Sequence, residues 1–147
     1  FGAFLGLFLT LTIAKYLGEF GNVSEWLMAS LGASALLVFA LPQSPMAQPW
    51  AVIAGNTVSA LVGIATVNLI HIPLLAMPLA ASLSILAMFI LRCLHPPAAA
   101  VAMIVILGDV AHYRYAFFPV MIDSFLLILA GAVYSNLTGK RYPNKPR

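Results

Sequence analysis

The chain has 147 residues, of which 63% are hydrophobic and only 7% charged, with a formal net charge of +3. A mean hydropathy of +1.02 excludes a water-soluble domain of this size and reads as an integral membrane protein. The excess charge sits mainly in Lys140, Arg141, Lys145 and Arg147, a pattern that suits a cytoplasmic membrane flank and not a nucleic-acid patch. Cys93 stands alone, so no intrachain disulfide forms, and no Cys, His and carboxylate spacing resembles a zinc or haem site.

In chain order, four segments are long enough to cross an apolar core of about 30 Å at about 1.5 Å per residue. They run from Phe1 to Leu17, Trp50 to Ile70, Leu74 to Leu91 and Ala116 to Leu137. Apolar segments recur along the whole length, which one signal peptide does not explain; because Phe1 already lies inside one, the natural start is expected upstream. Two further apolar runs, Leu27 to Leu41 and Pro96 to Leu107, are shorter, and each is followed by a polar or turn-rich octet, 42–49 and 108–115. The fold expected is all-α: a single transmembrane domain over 1–147, a polytopic bundle of four long helices and two short, broken or re-entrant ones.

A shift of 66 residues brings Leu41 onto Leu107, Gly32-Ala33-Ser34 onto Ala98-Ala99-Ala100 and Trp50 onto Ala116. Hydropathy and length, more than identity, therefore suggest two pseudo-repeats, about 1–70 and 71–137, followed by a basic tail, 138–147. Three crossings per half make the repeat inverted, with the tail and Arg92 on the cytoplasmic side and the acidic stretch of Glu19 and Glu25 outside; Arg114 dissents. Gly2-x-x-x-Gly6, Ser59-x-x-x-Gly63 and Gly131-x-x-x-Ser135 allow close helix packing, within the chain or between copies. Six thin helices enclosing two broken ones point to a homo-oligomer.

The chemistry concentrates at the breaks. Tandem prolines cost little at the first helical positions, so a helix is expected to start at Pro96 with His95 as its N-cap, leaving the amides of Ala98 and Ala99 without intrahelical acceptors at the positive end of the dipole. Such an end attracts anions. In the first half, Ser30, Gly32, Ala33 and Ser34 take the equivalent place. If both short helices aim their N-termini at one point, their amides with Ser30, Ser34 and His95 replace the hydration shell of a small anion, without a full positive charge. The plainer account of the small residues is tight packing, and of His95 a cap bonded to backbone amides. Asp123, in an otherwise apolar run, is a candidate coupling residue, since a proton carried with an anion lowers the net charge moved; its structural alternative is a partnership with Asn56, Lys15 or a backbone amide. Asn56 is a second candidate for the pathway. Gln43 and Ser44, among Pro42, Pro45 and Pro49, form either the mouth of a pathway or an ordinary loop. His71 and His112 read as solvated loop residues.

Taken together, His95-Pro96-Pro97, Gly32-Ala33-Ser34-Ala35, Ser44-Pro45-x-Ala47-Gln48-Pro49 and Ser59-Ala60-Leu61-Val62-Gly63 resemble the HPP family of integral membrane proteins over essentially the whole chain. The resemblance implies a bacterial or cyanobacterial inner membrane or a plastid envelope and, for the cyanobacterial and chloroplast branches, nitrite transport. Many relatives carry a basic residue where this chain has Trp50 and a histidine where it has Asn56, a departure that bears on any mechanism needing a cation beside the pathway. The expectation is therefore transport of a small monovalent anion, nitrite foremost, with neither metal nor cofactor. The alternatives are a non-transporting ligand sensor or assembly subunit and, more remote, a membrane enzyme using His95 and Asp123, which lacks an obvious nucleophile or metal set.

Overall fold

Prolines and turn residues divide the apolar sequence into helices. The computed structural model describes residues 1–16 and 22–143, with the side chains of Ala14 and 22–28 left aside. Glu19, Lys145 and Arg147 lie outside the described residues, as does the side chain of Glu25. The helices are α1 (Gly2–Tyr16), α2 (Asn22–Ala35), α3 (Pro49–Leu69), α4 (Pro73–Ile90), α5 (Ala98–Leu107) and α6 (Ile122–Leu137). Wide π-turns extend α2 over Leu36–Ala40 and precede α6 over Ala116–Met121. Pro49 and Pro73 stand at the first positions of α3 and α4, where a missing amide hydrogen costs nothing.

Among the described residues, three segments meet the length and apolarity needed to cross a membrane, Pro49–Leu69, Pro73–Ile90 and Ala116–Leu137; the expected span from Phe1 to Leu17 ends in a residue outside them. Helix α1 has 15 residues, roughly 22 Å of rise. The run from Leu27 to Leu41 is not an isolated short helix, because α2 begins at Asn22 and passes into its π-turn without a break. Ser30 and Ser34 therefore lie well inside a helix, away from any N-terminus.

Interlocking contacts set the direction of each element. The Trp50 indole donates to the Leu91 carbonyl at 3.2 Å, so the start of α3 lies beside the end of α4. The Tyr142 hydroxyl donates to the Ala47 carbonyl at 2.6 Å, which brings the chain beyond α6 to the same end. Burial raises the Tyr142 pKa, so the phenol keeps the proton that this bond needs. Asn68, at the far end of α3, donates to Ala111 at 3.0 Å in the loop after α5. Gly2 faces Tyr134 while Gly6 faces Ala130, so α1 runs antiparallel to α6. Successive helices thus alternate in direction, with Arg92 and Tyr142 at one end and Arg114 at the other.

Helix α3 is the axis of the bundle: 61% of its apolar window is buried, against 22% for α4. The bulky side chains left exposed on α4, such as Leu75, Leu86, Phe89 and Ile90, suit a hydrocarbon surround. Close approach is bought with small residues, and the small-xxx-small glycines serve contacts within the chain. Gly63 abuts α5, where an added Cβ would lie 2.8 Å from the Ala102 carbonyl oxygen, and Gly131 abuts Val38. Gly32 has no atom of another element within 4 Å of such a Cβ. Accordingly, Gly63→Ala should lower stability by about 1–3 kcal/mol. Gly32→Ala should leave it unchanged or raise it by up to about 1 kcal/mol through helix propensity. Unfolding of the two variants in detergent micelles checks the contrast.

Candidate functional site

The connection between α4 and α5 turns back into the bundle. Arg92 takes a left-handed conformation (φ 52°) where the chain leaves α4, and Cys93 and His95 behind it are fully buried. A Cβ on Gly55 would lie 2.9 Å from both the Cys93 carbonyl oxygen and the His95 Cβ, so glycine is what lets the connection lie directly on α3. Gly55 is six residues beyond Pro49, which sets His95 about 9 Å below the end of α3. Helix α5 then climbs beside α3 for only 10 residues, from Ala98 to Leu107. The expected half-helix is therefore present in the second half of the chain.

Its tip differs from the expectation. The helix begins at Ala98, and Pro96-Pro97 forms the turn before it. The amides of Ala98, Ala99 and Ala100 donate to the carbonyls of His95, Pro96 and Pro97 at 2.9, 3.3 and 3.1 Å. Those donors, expected to await an anion, are occupied by a tightened first turn. Because α2 presents its middle here and not an N-terminus, two converging positive helix ends do not occur.

What converges instead is a clamp. His95 Nδ1 lies 2.8 Å from the Met46 carbonyl oxygen, which can only accept, so Nδ1 carries the proton. Nε2 lies 2.8 Å from Ser34 Oγ, and a neutral ring accepts the serine's hydrogen there. Ser30, one turn earlier on α2, donates to the Pro97 carbonyl at 3.1 Å. One imidazole thus joins α2, the loop before α3 and the start of α5, with both ring nitrogens satisfied by the protein. The plainer expectation for His95, a helix cap bonded to backbone amides, is corrected: the ring meets a carbonyl and a serine hydroxyl, and α5 is capped at Pro97 without a side-chain bond.

The other candidates differ in exposure: Ala33 and Pro96 are exposed, Gly32, Pro97 and Ala99 half-buried and Ala98 fully buried. Ser44 caps the short turn Pro45–Ala47 by accepting from the Met46 amide at 3.2 Å, Gln43 is exposed, and Gln48 ties the loop to the Pro42 and Ser44 carbonyls. The proline-rich octet is therefore a braced cover over His95. His71 and His112 are exposed, as expected.

Deeper in the bundle, α3 meets α6 through polar side chains. Asn56 Nδ2 donates to Ser124 Oγ at 2.9 Å, and Ser124 in turn donates to the Val120 carbonyl at 2.8 Å, both side chains being buried. Asp123 is also buried, and Asn56 bonds to the serine beside it. Ser59 is completely buried and its hydroxyl has no hydrogen-bond partner. In the sequence Ser59 reads only as a packing residue, and Ser124, Gly55 and the Met46 carbonyl carry no signal of their own. Loss of the clamp is measurable: Ser34→Ala should cost about 0.6–2 kcal/mol in detergent. Combined with His95→Ala it should add almost nothing to the single His95 variant, and full additivity in that cycle would show that the two do not interact.

Comparison with known proteins agrees with this architecture. Residues 1–143 match the family described as HPP, transmembrane region. Two curated relatives from Dictyostelium discoideum, both named only as transmembrane proteins, are 35% and 34% identical, each over 96% of this chain. The match covers 48% and 52% of their own lengths, so the chain spans about half of the relatives it matches. No solved structure matches. With His95 of the signature triplet buried against α3 and the family match running through the described helices, the chain belongs to the HPP family of integral membrane proteins.

Proposed function

We propose that this protein moves a small monovalent anion, nitrite foremost, across a membrane, with Arg92 and the basic C-terminal tail on the cytoplasmic side. The observation that carries the reading is a run of buried polar side chains through an otherwise apolar bundle: Ser34 and His95 near one end, then Asn56 with Ser124, then Ser59 at the middle of α3. Polar groups inside a membrane are costly and mark solute and ion pathways. The pathway in this reading runs along α3 past Asn56, and the His95 clamp holds the half-helix α5 beside it.

Several further features belong to the same reading. The alternation of six helix directions suits two inverted halves, 1–70 and 71–137, and a homo-oligomer fits the thinness of a single bundle. The resemblance to nitrite-transporting HPP branches supports the cargo, and a bacterial or cyanobacterial inner membrane or a plastid envelope supports the setting. Asp123, buried in the membrane, serves as the coupling residue that takes up a proton with the anion.

Flux into proteoliposomes is the test. Nitrite should enter several-fold faster than into empty vesicles; if nitrite, nitrate, formate and chloride all cross at the empty-vesicle rate, transport is refuted and a ligand-sensing or assembly role takes its place. An inwardly directed proton gradient should stimulate nitrite uptake, and Asp123→Asn should abolish the stimulation while leaving the protein folded. Stimulation unchanged in that variant removes Asp123 from the mechanism.

A further inference from the structure

The direction in which Asn56 presents its amide follows from its neighbours. Ser124 has one hydroxyl hydrogen, and it is spent on the Val120 carbonyl. Toward Asn56 the same oxygen can only accept, so the amide must turn its NH2 group to Ser124 and its carbonyl oxygen away. That oxygen, Oδ1, is buried and without a hydrogen-bond partner. Asn56 itself is only 2% exposed.

Ser59 is the second independent observation. The hydroxyls of Thr10, Thr57 and Thr66 fold back onto carbonyls of their own helices at 2.7–2.9 Å. Ser59 does not: its hydroxyl is fully buried and unbonded. Asn56 and Ser59 are three residues apart on α3, which sets their Cβ atoms about 5–6 Å apart on neighbouring positions of one face. Two buried polar groups of this kind are costly unless something bonds them.

Their chemistry selects what that something is. An amide carbonyl oxygen accepts only, while a hydroxyl both donates and accepts. A bare anion would satisfy the serine and leave Oδ1 facing another lone pair. We propose that Asn56 and Ser59 form a binding pocket for a small ligand that donates hydrogen bonds; resting on the transport reading, it is the point on the route where the cargo is held with its proton or its water and not as a naked anion. The donor bridges Asn56 Oδ1 and Ser59 Oγ at the middle of the bundle, and Ser124 fixes the orientation of the amide from behind.

Thiol accessibility tests this in the full chain reconstituted in liposomes, on a Cys93→Ala background. Ser59→Cys should react with aminoethyl methanethiosulfonate at least tenfold faster than Ser84→Cys, whose parent hydroxyl is equally buried but bonded to the Ala81 carbonyl. Formamide, a small uncharged donor, should slow the reaction several-fold, and sodium chloride at the same concentration should not. Replacing Asn56 by leucine should remove the formamide effect. If Ser59→Cys does not fold, Asn56→Cys replaces it for accessibility alone: it should still react at least tenfold faster than Ser84→Cys, and formamide should not slow it because the acceptor is gone. A thiol no more reactive than the Ser84 control, or one protected equally by chloride, overturns the pocket. An inert thiol in vesicles that carry nitrite overturns the pocket alone; a reactive, formamide-protected thiol in vesicles without flux upholds the pocket and overturns transport.

Discussion

A single imidazole, with one bond from each nitrogen, holds together the three segments that give this bundle its interior. His95 reaches Ser34 on α2 and the Met46 carbonyl in the loop before α3, while its own backbone opens α5. In a hydrocarbon surround the drive to bury apolar surface is absent, so helix association relies on packing and on hydrogen bonds between elements. The clamp supplies both. Its bonds fix three otherwise independent pieces, and Gly55 allows the histidine to lie against α3 at van der Waals range. The tandem prolines follow from the same geometry: lacking amide hydrogens, they ask for no partners where the chain bends from the clamp into the helix.

Irregular backbone inside a membrane survives only where protein covers it and every polar group is answered. In the connection from Leu91 to Pro97, several carbonyls find partners by local means. The Leu91 carbonyl accepts from Trp50, the His95, Pro96 and Pro97 carbonyls accept from the first amides of α5, and the Pro97 carbonyl also accepts from Ser30. The proline-rich segment 42–49 closes over it, itself braced by Gln48 and by Tyr142 from beyond α6. The base of the half-helix is thereby tied to α2, to α3 and to the loop before it.

The sequence made the membrane class and most helices legible, because runs of apolar residues between prolines read without knowledge of packing. It also located the break at His95-Pro96-Pro97, since only a helix start tolerates such a pair. The misreadings have physical causes. Length was judged from apolar residues alone, so α2, whose first turns contain Asn22, Ser24 and Glu25, looked short when its helix was not. The amides of Ala98 and Ala99 were counted as free because a helix start leaves α-type partners missing, whereas a tightened turn satisfies them locally. His95 pairs with Ser34 across 61 positions and with Met46 across 49, and one sequence alone does not encode such distances.

The two polar centres are built on opposite principles, and the contrast assigns their roles. At His95 each side-chain nitrogen is answered by a short bond from a different element, so removing any partner leaves a buried polar atom unpaid and the arrangement resists change. At Asn56 the amide is pinned on one side only, by Ser124, and its carbonyl oxygen, with the Ser59 hydroxyl one turn on, retains unused bonding capacity at the centre of α3. A group whose bonds are all internal positions the fold; a group with bonding capacity left over is where a guest gains something by arriving. On the proposed reading, the family signature marks the support, and the residues suited to meet a solute lie beside it and about one turn deeper, on the helix that the support braces.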